Sequence, residues 1–103
     1  MHKQQHLFNE KETMISIDEK RNRYRGYEVE LKKTEPRTIT RKWGRVEKNE
    51  EGTWKLKNNK WLGEKEICLE EEELDECDSE KVYQQILEQK RKRGYVDYSE
   101  LGD

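Results

Sequence analysis

Apolar residues in segment 23–46 recur at every second position, which is the period of a β-strand. Tyr27, Val29 and Leu31 alternate with charged residues, as expected for a strand with one buried face and one solvated face. A second strand is predicted over residues 37–46, after a turn that contains the chain's only proline. These two strands should form an antiparallel hairpin.

Three shorter segments complete the predicted sheet. Trp54 and Leu56 alternate with lysines after the turn at 49–52, which indicates a third strand. Residues 66–70 alternate in the same way and predict a fourth. A short initial strand is predicted over residues 14–17, where apolar side chains again outnumber polar ones.

The period changes near the C-terminus, where residues 79–93 have one apolar stripe of a helix. The stripe consists of Val82, Tyr83, Ile86 and Leu87. Asp78 or Ser79 is expected to cap the helix start, and Gly94 should end it in the left-handed conformation.

These elements predict an α+β fold: a small curled antiparallel β-sheet of four to five strands with one amphipathic helix packed across it. Residues 14–96 are assigned to this single domain, residues 1–13 to a flexible N-terminus and residues 97–103 to a C-terminal tail.

The composition predicts a thin core. Of the 103 residues, 46 are charged, and Leu, Ile, Val and Phe together make up only about 17% of the chain. A formal net charge of -2 does not force the chain apart, and three Trp and five Tyr add large apolar side chains. An ordered small domain with an aromatic-rich core is therefore expected.

Several functional classes lack support in the sequence. No apolar run approaches the roughly 20 residues that span a bilayer, and the N-terminus has no signal-peptide stretch, so a soluble cytoplasmic protein without membrane contact is expected. The sequence has no Gly-rich phosphate loop and no His in the predicted domain, which indicates a non-enzyme without a cofactor. Cys68 and Cys77 are predicted to be reduced thiols, since no second ligand pair completes a metal site.

Charge is segregated along the chain. Residues 20–60 have 14 basic and 6 acidic side chains, whereas residues 61–82 have 2 basic and 10 acidic ones. The two blocks could screen each other through weak surface pairs. Alternatively, the basic block could form an anion-binding face with the acidic block pointing elsewhere. Charge counting alone leaves both interpretations open.

The tract at 41–45, Arg-Lys-Trp-Gly-Arg, combines the groups that bind nucleic acid. It offers an aromatic surface for stacking, guanidinium donors for phosphate oxygens and a glycine that a ligand can approach. In an ideal strand Arg41, Trp43 and Arg45 share one face with Ile39, so that face cannot be entirely core. Either the strand bulges near Gly44 or Trp43 lies at the sheet's margin. The alternative is a core tryptophan with solvated neighbours.

The Trp-Gly-Arg tripeptide at 43–45, followed by Val46, resembles the motif that names the WGR domain family of DNA-dependent poly(ADP-ribose) polymerases and small bacterial proteins. The strand-forming stretch 22–31 before it and the basic helix end at 90–95 after it match the order of elements in that family. The resemblance covers residues 14–96.

The resemblance implies a small antiparallel sheet crossed by one helix, and contact with DNA at strand ends or breaks. Trp43 would pack against a terminal sugar or base, and Arg45 would contact phosphate or a neighbouring domain. Arg41 and Lys42 would add positive charge. Glu47 departs from the pattern, since the family often has glycine there.

The leading hypothesis is a non-catalytic nucleic-acid-binding module that contacts DNA ends or nicks. The predicted binding residues are Arg41, Lys42, Trp43, Gly44, Arg45, Lys55 and Lys57. The alternative is a protein-interaction or regulatory module, in which Trp43 and Arg45 face a partner protein and the glutamates at 70–73 form a second contact surface.

Overall fold

The computed structural model describes residues 9–70, 72 and 75–102, excluding the side chains of 76, 77 and 102. This part of the chain forms one antiparallel sheet and one α-helix, which confirms the predicted α+β fold. The strands are β1 (Glu10–Asp18), β2 (Arg23–Lys32), β3 (Thr38–Lys48), β4 (Trp54–Leu56), β5 (Gly63–Cys68) and β6 (Val96–Asp97). The helix α1 spans Glu76–Lys92, and single 3-10 turns lie at Lys57–Asn59 and Ser99–Gly102.

The strand order is β4-β3-β2-β1-β6, and β5 pairs with β3 on the same side as β4. The predicted hairpin of β2 and β3 is confirmed, with an unbroken register from Arg25↔Arg45 to Lys32↔Thr38. A bulge near Gly44, one of the two alternatives for this strand, would interrupt this register, so that alternative is wrong. The central position of β3 places its side chains over the middle of both faces of the sheet.

The ordered domain extends beyond the boundaries predicted at 14 and 96. β1 begins at Glu10, within the segment assigned to a flexible N-terminus, and pairs with β2 along its whole length. At the other end, β6 pairs with β1 and Leu101 is buried. Charged residues at the ends of β1 interrupt its apolar alternation, so its sequence does not show where the strand begins. The C-terminal residues are ordered by contacts with β1, which is distant in the sequence, so they have no local signal either. Residues 1–8 lie outside the described part of the chain.

Each face of the sheet has its own apolar cluster. The face that carries Tyr27, Val29 and Leu31, called the helix face below, is covered by α1. Its core consists of Met14, Tyr27, Val29, Leu31, Ile39, Leu69, Tyr83 and Leu87. The opposite face has a smaller core formed by Ile15, Val46, Leu101 and flanking aromatic residues.

Gly26 belongs to the smaller core and lies opposite Gly44 in the register. A Cβ at Gly26 would lie 2.9 Å from both Leu101 Cδ2 and Val46 Cγ1. The absence of a side chain therefore gives these two apolar groups room to meet over the sheet.

The helix begins earlier than its apolar stripe predicts. The Asp75 carboxylate accepts a hydrogen bond from the Asp78 amide at 2.8 Å, so Asp75 is the N-cap and not Asp78 or Ser79. Ser79 instead donates its hydroxyl to the Asp75 carbonyl at 2.7 Å and accepts from Arg37 at 3.0 Å. Gly94 follows the helix with φ +99°, as predicted.

The prediction of reduced thiols can be compared with the structure for one of the two cysteines. Cys68 is a half-buried free thiol at the end of β5. The Cys77 side chain lies outside the described part of the structure.

Candidate functional site

The end of the helix face near Arg25 and Arg45 extends beyond the part that α1 covers. Arg25 pairs with Arg45, Tyr27 with Trp43 and Val29 with Arg41, so all six side chains lie on this face. Ile39 lies on it too but is fully buried under the helix. The face therefore changes from apolar core to exposed basic and aromatic surface within a few residues of β3.

Trp43 lies on the exposed part of this face. It is 42% exposed, so it is not the core tryptophan of the alternative interpretation. Its indole lies directly over Gly63, its partner in the β3–β5 register. A Cβ at Gly63 would lie 2.5 Å from the indole Nε1, so the missing side chain leaves the space that the ring occupies.

Lys90, near the end of α1, directs its ammonium toward two tyrosines of the site. Its Nζ lies 4.2 Å from the ring centroid of Tyr27 and 5.4 Å from that of Tyr95. Burial lowers the pKa of Lys90, and the positive charges of Arg93, Arg41 and Arg25 lower it further. The folded chain thus places three arginines close enough to Lys90 to disfavour its charged form.

Tyr27 forms the floor of this charged cluster. Burial raises the pKa of its hydroxyl, while the adjacent Arg41 opposes that rise. Its ring also lies 5.9 Å from that of Tyr95, at an interplanar angle of 59°. Tyr27 therefore joins the helix-face core to the exposed aromatic surface.

These side chains line an open concavity of about 1080 Å³ at this end of the sheet. We call it the basic concavity, since eight of its lining residues are basic and two, Glu19 and Glu47, are acidic. Arg25, Arg41 and Arg45 form no ion pair with any carboxylate that the structure describes, nor do Lys65 and Lys90. Its positive charge is thus available to an anionic ligand.

None of the described carboxylates of the acidic block, residues 61–82, lines the concavity. Glu70 accepts from the Arg37 amide at 3.3 Å and lies 3.7 Å from its guanidinium. Arg37 precedes β3, eight residues before Arg45, which corresponds to about 26 Å at roughly 3.3 Å per residue. Glu70 therefore lies far from Arg45. Residues 71, 73 and 74 lie outside the described part of the chain.

The structure separates the predicted site residues into two groups. Arg41, Trp43, Gly44, Arg45 and Lys57 line the basic concavity. Gly44 does so from the opposite face, where it is buried against Leu56 and Trp61.

The other two predicted residues do not line the concavity. Lys42 lies on the opposite face, because successive strand residues alternate, and its ammonium is 3.8 Å from the carboxylate of buried Glu28. Lys55 is exposed on β4, where it pairs in the register with Glu47. Adjacency to Trp43 in the sequence therefore does not bring Lys42 into the concavity, and a position in a lysine-rich strand does not bring Lys55 there.

Sequence reasoning missed several residues of the concavity. Arg25, Lys65 and Lys90 come from three different elements, and only the fold brings them together. Arg25 could have been found by extending the predicted hairpin to its partner Arg45. Lys90 has no such signal, because its position depends on how α1 crosses the sheet.

The concavity continues onto the opposite face at the end where β2 begins and β3 ends. Tyr24 and Trp54 stack there with ring centroids 5.7 Å apart and an interplanar angle of 23°. The Lys48 ammonium lies 5.5 Å from the Trp54 ring centroid. The Trp54 amide donates to the Tyr98 hydroxyl at 2.9 Å, which holds the backbone of this pair in place.

Comparisons with known proteins do not assign the chain to a family. No protein-family model, no curated protein and no solved structure matches it. The similarity to the WGR domain thus rests on the residues that carry it.

The described residues contain no group of three or more His, Cys, Asp or Glu side chains that could hold a metal ion. Among them, no helix has the length and apolar character needed to cross a lipid bilayer.

Proposed function

We propose that this chain is a non-catalytic nucleic-acid-binding module that uses the basic concavity to contact DNA at ends or breaks. The observation that carries the proposal is a set of arginines and lysines without described carboxylate partners, arranged around the exposed indole of Trp43. Phosphates spaced along a nucleic acid are the ligand that such a set neutralises best.

The exposed indole of Trp43 is the reason for expecting a preference for DNA ends. Bases inside a duplex are stacked on each other, so an indole can stack on a base only where that stacking is interrupted. Arg41 and Arg45 flank the ring on the same face and would bind the adjacent phosphates through their guanidinium groups. The similarity to the WGR domain supports the same preference.

Fluorescence anisotropy with labelled nicked and 5′-phosphorylated duplex DNA tests this proposal. We expect micromolar or weaker binding that falls steeply between roughly 50 and 200 mM salt. The double variant Trp43→Ala/Arg45→Ala should lose most of this affinity. Lys32→Gln is the matched control, because Lys32 is an exposed cation at the far end of β2 and does not line the concavity.

Two results would overturn the proposal. One is the absence of salt-dependent binding below roughly 100 μM protein, since even a small cationic module should show it. The other is equal loss of affinity in Lys32→Gln and in the double variant, which would mean that binding follows net charge and not this site. Recovery of one stoichiometric, nuclease-insensitive protein partner through Trp43 would favour the protein-interaction alternative.

A further inference from the structure

The basic concavity has aromatic surfaces on both faces of the sheet. On the helix face, Trp43 is exposed. Leu62, whose amide donates to the Trp43 carbonyl at 2.8 Å, is 63% exposed. On the opposite face, the half-buried rings of Tyr24 and Trp54 are stacked. All four residues line the same concavity, so it passes around the end of the sheet.

Cations occupy the path between the two aromatic surfaces. Arg23 and Arg25 lie where β2 begins, Arg45 lies opposite Arg25 in the register, and Lys57 follows β4. All four line the concavity. A chain that ran from one aromatic surface to the other would therefore pass several cations, while Glu19 and Glu47 are the two acidic residues that line the concavity.

The shape of this path discriminates between nucleic-acid forms. The residues that line the concavity lie on both faces of the sheet, at the end where β2 begins and β3 ends, so the path turns from one face onto the other. Duplex DNA stays nearly straight over roughly 500 Å, so it can lie against one face but cannot turn onto the other. A single strand is flexible, and each of its bases can offer a face for stacking.

We propose that the segment bound in the basic concavity is single-stranded. Its bases stack on Trp43 on one face and on the Tyr24–Trp54 pair on the other, and its phosphates lie on Arg25 and Arg45 between them. This inference rests on the proposed nucleic-acid function and narrows it to unpaired strands, such as a strand that extends from a DNA break. Single-stranded DNA and RNA share the required chemistry.

Anisotropy titrations with four labelled probes test the inference on the full chain: a 12-nucleotide oligo-dT, a 12-nucleotide oligo-rU, a blunt duplex and the same duplex with a single-stranded overhang. We expect the single strands and the overhang duplex to bind at least about tenfold more tightly than the blunt duplex. The ratio of the oligo-dT and oligo-rU affinities shows which sugar the site prefers.

Tyr24→Val tests the second aromatic surface specifically. It should weaken single-strand binding by roughly five- to hundredfold and blunt-duplex binding by a clearly smaller factor, while Tyr24→Phe retains the ring and should bind like the wild type. Because Tyr24 packs against the smaller core, photocrosslinking of a thiouridine oligonucleotide to the wild-type chain provides a measurement that does not depend on a variant. Crosslinks are expected on both faces, at or beside Trp43 and Tyr24.

The outcomes separate the two proposals. Equal affinity for blunt duplex and single strands, with crosslinks confined to the helix face, would overturn the single-strand inference while the nucleic-acid function stands. Failure of all four probes to bind would overturn both proposals.

Discussion

The contact between Trp43 and Gly63 allows a quantitative test of how the site is held in place. Gly63→Ala would put a methyl group where the indole now lies, since a Cβ there falls 2.5 Å from Nε1. The ring must move away from β5. Gly63 lacks the positive φ that would make alanine unfavourable for the backbone, so steric overlap is the expected effect.

The magnitude follows from the burial of the ring. A buried aromatic side chain removes about 150–250 Å² from water, and each Å² of apolar surface stabilises the fold by about 25 cal/mol. Trp43 is 42% exposed, so its covered part contributes about 2–4 kcal/mol. Displacing the face that contacts Gly63 should cost about 1–2 kcal/mol of the free energy of unfolding, within the range for overpacked sites.

Urea denaturation followed by circular dichroism measures this loss, which should also lower Tm by at least about 4 °C in a domain of this size. Glu64→Ala, at the exposed neighbouring position, is the control and should change stability by less than about 0.5 kcal/mol. In a Trp43→Ala background, Gly63→Ala should become neutral or stabilising, because alanine suits a strand better than glycine. An equal cost in both backgrounds would refute the proposed contact, because a double-mutant cycle isolates the interaction between the two residues.

Three further predictions concern charge and capping. Arg25→Gln should reduce the slope of log affinity against log salt by about 1, whereas Lys32→Gln in the same strand should leave it unchanged; titrations at several salt concentrations measure both. Asp75→Ala should cost about 1 kcal/mol by removing the N-cap of α1, measured by thermal unfolding, and an unchanged Tm would place the cap elsewhere. Burial and nearby arginines lower the pKa of Lys90, so the unfolded chain holds that proton more tightly than the folded one. The free energy of unfolding should therefore increase as pH rises toward the ordinary lysine value of 10.5. Lys90→Met should lack this gain, and parallel pH dependence in the two proteins would contradict the assignment.

The hairpin of β2 and β3 and the stripe of α1 could be predicted because both depend on local period. Tyr27, Val29 and Leu31 alternate along one strand, and Tyr83 and Leu87 recur at helical spacing. Pairing of β1 along its whole length could not be predicted in the same way. Charged residues occupy its ends, and partner strands rather than its own pattern determine where it begins.

The site was only partly predictable for a related reason. The tract around Trp43 identified three of the side chains that lie together, because alternate strand residues share a face. The same rule excludes Lys42, which pairs with Glu28 on the opposite face. Lys90 joins the site through the crossing of α1 over the sheet, a tertiary feature that no spacing in the sequence expresses.

The placement of the two apolar clusters affects how this protein can change during evolution. On the helix face, Arg41 and Arg45 lie outside the core, so substitutions there should change the charge of the concavity at little cost in stability. On the opposite face, Tyr24 and Trp54 pack against the smaller core and serve as structural residues as well. Variation is therefore expected to accumulate on one side of the concavity, while the other side is held constant by the requirement to fold.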